Sequence, residues 1–334
     1  MTFSPIRRAL LIITTTVGVV VLYGAYRVTK LPPMAVTFRM FIPDSAVMMT
    51  ATQTQSPRQL LSGSEPTAEE RYLELMKKYL VRYDFGPTYH PVNMQSSAAR
   101  RFAGRLLASR GLTLARVNPE SAEARESGTD WPETAETMIG LKRLDNLQQA
   151  ITDVLKQKVP GDLIECGAWR GGATIFMRAV LQTYGDNERN VWVADSFQGV
   201  PKPDEQKFPD DKGINLNESP ELAVSIEQVK ANFRRYGVLD DRVKFLAGWF
   251  KDTLPKAPIE KLSVLRVDAD LYESTWEALE ALYPKLSVGG YCIVDDYGAL
   301  AACKKAVEDF RSRNNITAEL KKIDWTGVYW RREK

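Results

Sequence analysis

Two pairs of aspartates end two apolar runs of the sequence. Asp268 and Asp270 follow the run in "SVLRVDADLYEST", and Asp295 and Asp296 follow the run in "GYCIVDDYG". Carboxylates at the end of a buried strand are costly to desolvate unless something positive lies beside them. Neighbouring parallel strands end at the same edge of a sheet, so these acids converge there and need a cation or protons. Oxygen ligands without His or Cys favour Mg²⁺, with Mn²⁺ and Ca²⁺ left open.

A glycine-rich loop follows another apolar run, in "ECGAWRGGAT". Gly167 and Gly171 allow the backbone to approach a ligand closely. The loop lacks the G-x-G-x-x-G pattern and the Lys-Ser/Thr of a P-loop. Glu165 precedes the first glycine, and its negative charge repels a pyrophosphate but suits a cationic or hydroxyl-rich ligand. S-adenosylmethionine, which carries a sulfonium and an amino group, fits that description; a tight turn without a ligand is the alternative.

A further acid ends the next strand-like run, in "VADSFQGVP". An acid at this position commonly accepts hydrogen bonds from a ribose diol in dinucleotide-binding folds. Asp195 lies 30 residues after Glu165, a spacing that suits one βαβ unit. Asp195 and the adjacent Ser196 are therefore predicted to contact the cofactor.

Strands and helices alternate from Asp162 onward, which explains how these residues come together. We predict strands over 162–166, 190–194, 242–246, 262–267 and 290–294, and helices over 173–184, 221–236, 274–286 and 300–313. Such alternation is typical of a parallel sheet with helices on both faces. The tail "TAELKKIDWTGVYWRRE" predicts an antiparallel hairpin that closes the sheet. The predicted fold is α/β, a Rossmann-like doubly wound sheet, over 159–334.

The segment before this domain predicts a helical extension over 69–158. "EERYLELMKKYLV" (69–81) and "TMIGLKRLDNLQQAITDVL" (137–155) both have the apolar spacing of amphipathic helices. Residues 31–68 mix Pro, Ser, Thr and Gln without clean periodicity, and we interpret them as a linker.

The amino terminus differs in composition from the rest of the chain, because it contains a long uncharged apolar run. "ALLIITTTVGVVVLYGAY" carries no charge and is flanked by basic residues. Its length is at the lower edge of the roughly 17–25 residues that span a bilayer as a helix. We predict a single-pass transmembrane helix within residues 1–30, with a cleaved signal peptide or a buried helix as alternatives. The flanking charges leave the orientation open, but S-adenosylmethionine is made in the cytosol, so we expect the catalytic domain there.

Composition excludes several classes of function. The chain has 334 residues, is 44% hydrophobic and 26% charged, and can therefore bury a sizeable core. A net charge of +3 without a Lys/Arg tract argues against nucleic-acid binding. His90 is the single histidine, which nearly excludes a His-based zinc site or a Ser-His-Asp triad. The three cysteines show no metal-like spacing and are interpreted as reduced and buried.

Several ordered motifs resemble one enzyme family. "TMIGLKRLDNLQ", "ECGAWRGGA", "DSFQGVP", "GWFKDTLP", "LRVDADLYEST" and "VDDYG" closely resemble the macrocin O-methyltransferase family, from about residue 69 to the end. The resemblance implies a class I methyltransferase fold and an enzyme that uses S-adenosylmethionine and Mg²⁺. It also implies that the enzyme methylates a sugar hydroxyl.

The resemblance assigns roles to individual positions. It implies that Asp268, Asp295 and Asp296 bind the metal and that Asp270 is the general base. Together with Gly171 and Ser196 from the motifs above, the predicted cofactor residues are Thr137, Met138, Glu165, Gly167, Asp195, Gly248, Trp249 and Phe250. The stretch 199–220 resembles the family's mobile segment over the substrate.

The acceptor is only partly defined by these patterns. A metal held by carboxylates favours two neighbouring hydroxyls, so we expect a vicinal diol in the sugar. The predicted anchor suggests a membrane-associated acceptor, such as a glycolipid or lipid-linked sugar, beside a glycosylated small molecule. A metal-dependent glycosyltransferase with a D-x-D motif and a non-catalytic relative of the fold are the alternatives. Homo-oligomerisation is left open.

Overall fold

The computed structural model describes residues 8–15, 18–25, 65–118, 121–130 and 132–334. The chain divides into two compact units, one of residues 1–66 and 87–119 and the other of residues 67–86 and 120–334. The second unit contains the large sheet and every residue of the predicted site.

The described residues form the following helices and strands. The strands are β1 (Arg8–Thr15), β2 (Gly18–Ala25), β3 (Thr88–Pro91), β4 (Ala115–Asn118), β5 (Asp162–Cys166), β6 (Val191–Asp195), β7 (Val243–Ala247), β8 (Leu262–Val267), β9 (Leu286–Val294), β10 (Lys321–Lys322) and β11 (Val328–Arg331). The α-helices are α1 (Ala68–Leu80), α2 (Ala98–Ala108), α3 (Ala122–Ser127), α4 (Leu141–Lys156), α5 (Gly172–Thr183), α6 (Ile226–Arg235), α7 (Phe250–Thr253), α8 (Tyr272–Leu282) and α9 (Ala301–Arg313).

The first unit contains two antiparallel strand pairs and one helix among its described residues. β1 pairs with β2, with Arg8 opposite Ala25 and Thr15 opposite Gly18. β3 pairs with β4, and α2 lies between them in the sequence. Ser97 caps α2, because its side chain accepts a hydrogen bond from the backbone N–H of Arg100.

The prediction of a transmembrane helix within residues 1–30 is wrong. The apolar run forms the antiparallel pair β1–β2 instead. None of the helices in the described ranges has the length and apolarity needed to cross a bilayer. The run is rich in Ile, Val and Thr, whose β-branched side chains favour strands, and hydropathy alone does not weigh that preference. The membrane location predicted from this helix is therefore also wrong. The predicted linker falls outside the described residues up to residue 64.

The second unit is built on a seven-stranded mixed sheet with the order β10-β11-β9-β8-β5-β6-β7. The five strands from β5 to β9 are parallel to their neighbours, while β11 runs antiparallel to β9 and β10 antiparallel to β11. The order reverses at β5, because the chain goes first to β6 and later returns to β8 on the other side. Ligands bind at such a reversal, beyond the carboxyl ends of the strands. The predicted α/β class and closing hairpin are confirmed.

Two apolar clusters cover the two faces of the sheet. Successive residues of a strand point to opposite faces, and accordingly Leu163 belongs to one cluster and Ile164 to the other. The first cluster includes Leu147 of α4 and Phe176 of α5. The second includes residues of α8 and α9, such as Phe310. Both clusters pack against the strands, and this packing positions the residues at the strand ends.

Most predicted elements of the sheet domain begin within a few residues of the observed bounds. The strands predicted over 162–166 and 262–267 match β5 and β8. α6 is shorter than predicted at its amino terminus, because Ser225 caps it by accepting a hydrogen bond from the backbone of Gln228. The residues before Ser225 form short 3-10 turns instead. The predicted domain boundary at residue 159 stays a prediction.

Candidate active site

A cavity of about 670 Å³ opens at the carboxyl ends of the parallel strands. This volume lies in the usual range for a small-molecule site, about 300–1,000 Å³. It is lined by all but one of the residues predicted from the sequence, namely Thr137, Met138, Glu165, Gly167, Asp195, Ser196, Gly248, Trp249, Phe250, Asp268, Asp270, Asp295 and Asp296. The exception is Gly171. Residues that are far apart in sequence therefore share one cavity.

Gly167 brings the ends of β5 and β8 close together. Its backbone has φ +90°, a conformation that side chains rarely adopt, and a Cβ there would lie 1.7 Å from the carbonyl oxygen of Asp268. The Gly167 N–H donates to the carbonyl of Ala194 at 2.8 Å, and the Asp268 N–H donates to that of Cys166 at 2.8 Å. Only glycine fits at this position.

Gly171 serves the turn into α5 and does not line the cavity. It is the N-cap residue of that helix and has φ +86°. A Cβ at this position would lie 2.8 Å from Val229 Cγ1 and 3.2 Å from Phe233 Cε2, both on α6. The residue therefore allows the loop to pack closely against α6.

Asp195 fixes the glycine-rich loop through its carboxylate. Oδ2 accepts hydrogen bonds from the backbone N–H groups of Ala168 (2.8 Å) and Trp169 (3.1 Å), and Oδ1 accepts one from Phe197 (2.7 Å). Burial raises the pKa of Asp195, and these hydrogen bonds oppose the rise. Ser196 Oγ donates to the carbonyl of Gly199 at 2.7 Å. Contact of either residue with a ribose stays a prediction.

Glu165 is buried and has one oxygen left without a partner. Oε1 accepts a hydrogen bond from Arg266 at 2.7 Å. Oε2 has no hydrogen-bond partner within the part of the chain that the structure describes. Burial raises the pKa of Glu165 to about 8. A cationic group in the cavity would satisfy Oε2 and favour the charged form, so this residue fits the amino group of S-adenosylmethionine.

Three aspartates form a cluster that fits a divalent cation. Asp268, Asp295 and Asp296 each offer a carboxylate oxygen, and these oxygens lie within 4.8 Å of one another. Burial raises the pKa of Asp296 well above its usual value, and the neighbouring Asp268 and Asp270 raise it further. A cation would offset this repulsion, and an all-oxygen donor set is the one Mg²⁺ prefers.

Asp270 lies beside this cluster in an unusual backbone conformation. Its φ is +60°, which a short polar side chain tolerates better than most. Its backbone N–H donates to Asp296 Oδ2 at 3.1 Å. Burial, followed by the charges of Asp268 and Asp295, raises the pKa of Asp270 to about 7. Among the described residues, its carboxylate has no ion pair or hydrogen-bond partner.

Two buried arginines at the site were not anticipated from the sequence. Arg266 on β8 hydrogen-bonds Glu165, Asp268 (2.8 Å) and Asp295. Arg143 on α4 bonds the other oxygen of Asp295. Each arginine pairs with buried carboxylates and so offsets the free-energy cost of removing their charge from water. The signal for Arg266 was its charge inside an apolar strand, in "VLRVD".

The segment 199–225 forms one wall of the cavity and contacts α8. Val200, Lys202 and Leu222 are among its residues that line the cavity. Asp211 of this segment is fully buried, and its carboxylate accepts hydrogen bonds from the backbone N–H groups of Tyr272 (2.5 Å) and Glu273 (3.1 Å). It therefore caps the amino terminus of α8, which begins at Tyr272, two residues after Asp270 in the chain. Mobility, which was predicted for residues 199–220, stays a prediction.

The chain is similar to several O-methyltransferases. The sequence model of the macrocin-O-methyltransferase (TylF) family matches residues 69–332. The demethyldecarbamoylnovobiocin O-methyltransferase of Streptomyces niveus is 54% identical over 213 residues, which is 64% of this chain and 81% of the relative. The mycinamicin III 3''-O-methyltransferase of Micromonospora griseorubida is 46% identical over 272 residues, 80% of this chain and 99% of the relative.

A third relative is named for its sugar. It is the 8-demethyl-8-(2,3-dimethoxy-alpha-L-rhamnosyl)-tetracenomycin-C 4'-O-methyltransferase of Streptomyces olivaceus. It is 49% identical over 265 residues, 79% of this chain and 93% of the relative. Among solved structures, that of the O-methyltransferase NovP matches with a TM-score of 0.70 and 46% identity, covering 80% of this chain and all of the other. The likeness to NovP supports the class I methyltransferase fold with its mixed sheet.

Proposed function

We propose that this chain, which belongs to the macrocin-O-methyltransferase family and is an O-methyltransferase, methylates a sugar hydroxyl with S-adenosylmethionine and Mg²⁺. The observation that carries the proposal is that the three clustered aspartates and Asp270 share one cavity with the glycine-rich loop. The rhamnosyl relative supports a glycosylated small molecule as the acceptor. A lipid-linked acceptor was expected only because of the predicted membrane helix. Since that helix is not formed, we do not propose a lipid-linked acceptor.

The chain offers a complementary group for each part of the cofactor. The unpartnered oxygen of Glu165 suits the amino group of the methionine part. Asp195, which accepts hydrogen bonds from the glycine-rich loop, suits the ribose, and Trp249, which lines the same cavity, suits the adenine. S-adenosylmethionine, when bound, supplies a methyl group on a positively charged sulfonium.

The metal would be held by Asp268, Asp295 and Asp296. Arg143 and Arg266 keep both oxygens of Asp295 oriented, so the cluster is formed before any ligand enters. Mg²⁺, when bound, supplies positive charge that lowers the pKa of a hydroxyl beside it. The cluster itself orients the hydroxyl, and orientation contributes much of the acceleration in such transfers.

Asp270 accepts the proton of the sugar hydroxyl in this proposal. Its backbone is tied to Asp296, while its carboxylate has no partner among the described residues. It is therefore free to face a hydroxyl held at the cluster and to act as general base. Two neighbouring hydroxyls fit the cluster better than one, which keeps a vicinal diol as the expected acceptor.

The test compares the full chain with its Asp270→Asn variant. The acceptors are a diol panel, defined as methyl and 4-nitrophenyl α-L-rhamnopyranoside and methyl α-D-glucopyranoside, and transfer is followed by mass spectrometry. We expect the wild type to methylate at least one glycoside. We expect Asp270→Asn to lose at least about 100-fold in kcat, the usual contribution of a general base, with binding of S-adenosylhomocysteine unchanged. Asp210→Asn, at an exposed position, is the matched control.

Two results would contradict the proposed roles. Loss of Mn²⁺ binding in Asp270→Asn, measured by calorimetry, would make Asp270 a metal ligand and not the base. Retention of full turnover in that variant would remove it from the chemistry altogether.

A further inference from the structure

Trp325 is an exposed aromatic residue among those that line the cavity. It lies in the turn between β10 and β11 and is 46% exposed, whereas Trp330 on the next strand is fully buried. Among the tryptophans that the structure describes, it is the most open. Exposure of this much apolar surface to water is unfavourable. An exposed tryptophan among the residues that line a ligand cavity therefore points to a ligand that packs against it.

The turn that carries Trp325 is tied to the aspartate cluster. Asp324 accepts a hydrogen bond from Arg143 Nε at 2.9 Å, and the same arginine bonds Asp295. On the other side of the tryptophan, Thr326 Oγ1 donates to the carbonyl of Asp295 at 2.8 Å. Both neighbours of Trp325 are thus linked to one residue of the cluster.

The ring of Trp325 is itself held in place. Its Nε1–H donates to the carbonyl of Ser127 at 2.9 Å. Gly298 lies against its backbone so closely that a Cβ there would be 2.3 Å from the Trp325 carbonyl oxygen. Because the indole N–H already has a partner, the π faces of the ring are what Trp325 can still offer to a ligand. Such a face is negatively polarised and attracts the positively polarised edges of C–H bonds.

We propose that Trp325 is the platform for the acceptor sugar, and that its open indole face packs against the C–H face of the pyranose ring whose hydroxyls reach the aspartate cluster. A pyranose has hydroxyls around its rim and C–H groups on its faces. The site matches both, with carboxylates at Asp268 and Asp270 for the rim and a fixed aromatic ring for the face. The inference rests on the proposed function and adds a residue that selects the sugar.

The test uses three substitutions at this position and one matched control. Trp325→Ala removes the ring, Trp325→Leu keeps apolar bulk without a π face, and Trp325→Phe keeps a smaller ring. Tyr184→Ala is the control, since Tyr184 is 47% exposed but does not line the cavity. For each protein, KM and kcat are measured with the panel glycoside that the wild type methylates. Binding of S-adenosylhomocysteine is measured by calorimetry.

We expect loss of the ring to raise KM for the glycoside and to leave the affinity for the cofactor product unchanged. Trp325→Ala and Trp325→Leu should raise KM for the glycoside about five- to tenfold, in line with the strength of aromatic contacts. Trp325→Phe should stay within about threefold of the wild type. The affinity for S-adenosylhomocysteine should be unchanged in all variants, and Tyr184→Ala should behave as wild type.

Each other outcome overturns a defined part of the proposal. An unchanged KM in both Trp325→Ala and Trp325→Leu overturns the platform while the proposed function stands. Equal impairment in Trp325→Phe and Trp325→Leu shows that the bond to Ser127 matters and not the ring face, and also overturns it. If Trp325→Ala fails to bind S-adenosylhomocysteine through misfolding, the Leu and Phe variants decide. A wild type that methylates no panel glycoside overturns the proposed function and the platform together.

Discussion

Gly167 is a position where one added methyl group should strongly lower the free energy of unfolding. In Gly167→Ala the new Cβ would be 1.7 Å from the carbonyl oxygen of Asp268, a backbone atom that cannot rotate away. The residue also has φ +90°. Left-handed strain costs about 1–3 kcal/mol, and forcing an extra methyl into a packed site costs about 1–3 kcal/mol. The two effects together predict a loss of about 4 kcal/mol in the free energy of unfolding.

The chain contains a matched control for the backbone effect alone. Gly185 has φ +72°, but no atom lies within 4 Å of the place where a Cβ would be added, so Gly185→Ala carries the conformational strain without the clash. It should lose only about 1 kcal/mol.

The assay is guanidinium denaturation followed by tryptophan fluorescence, with linear extrapolation to water. Gly167→Ala should fall about 3 kcal/mol below Gly185→Ala. It should also lose binding of S-adenosylhomocysteine, because relief of the clash moves the loop that lines the cavity, while Gly185→Ala should keep that binding. Equal stabilities in the two variants, with cofactor binding retained in both, would refute the close approach of β5 and β8.

Two further predictions concern buried charges, both measured by the same denaturation. Arg266→Met should lower the free energy of unfolding by about 3–5 kcal/mol, because buried carboxylates lose their partner. Arg178→Met should lower it less, since its partner Asp240 has a side chain that is 34% exposed and can be hydrated. An equal loss in both would argue against a special role for the charge beside the cluster. Asp211→Ala should lower the free energy of unfolding by about 1–2 kcal/mol, because α8 loses its cap. Asp210→Ala should leave it almost unchanged, because Asp210 is exposed. An Asp211→Ala variant as stable as the wild type would show that this cap does not stabilise α8.

The convergence of the acids could be predicted from the sequence because it follows from topology. Strands alternating with helices form a parallel sheet, and the ends of such strands meet at one edge. Asp268 and Asp295 each follow an apolar run directly, so their place at this edge needs no knowledge of packing. The same logic placed Glu165 and Asp195 beside them. All of these residues line the cavity.

The arginine contacts could not be predicted, because they depend on how a helix packs across the sheet. Arg143 and Asp295 are 152 residues apart, and no local pattern links them. The place of Trp325 beside the cluster could not be predicted either. It depends on contacts that the neighbouring residues Asp324 and Thr326 make, through Arg143 and directly, with Asp295. The membrane helix was wrong for a different reason, since hydropathy measures how apolar a run is and not whether it forms a helix or strands.

The most direct test of the proposed chemistry is a calorimetric titration of S-adenosylhomocysteine into the full chain in the presence of Mg²⁺. We predict binding, and we predict that Glu165→Gln weakens it, because glutamine cannot supply the carboxylate that the amino group of the ligand favours at this position. Absence of binding, together with binding of a nucleotide sugar such as UDP-glucose in the presence of the metal, would contradict methyl transfer and favour a glycosyltransferase.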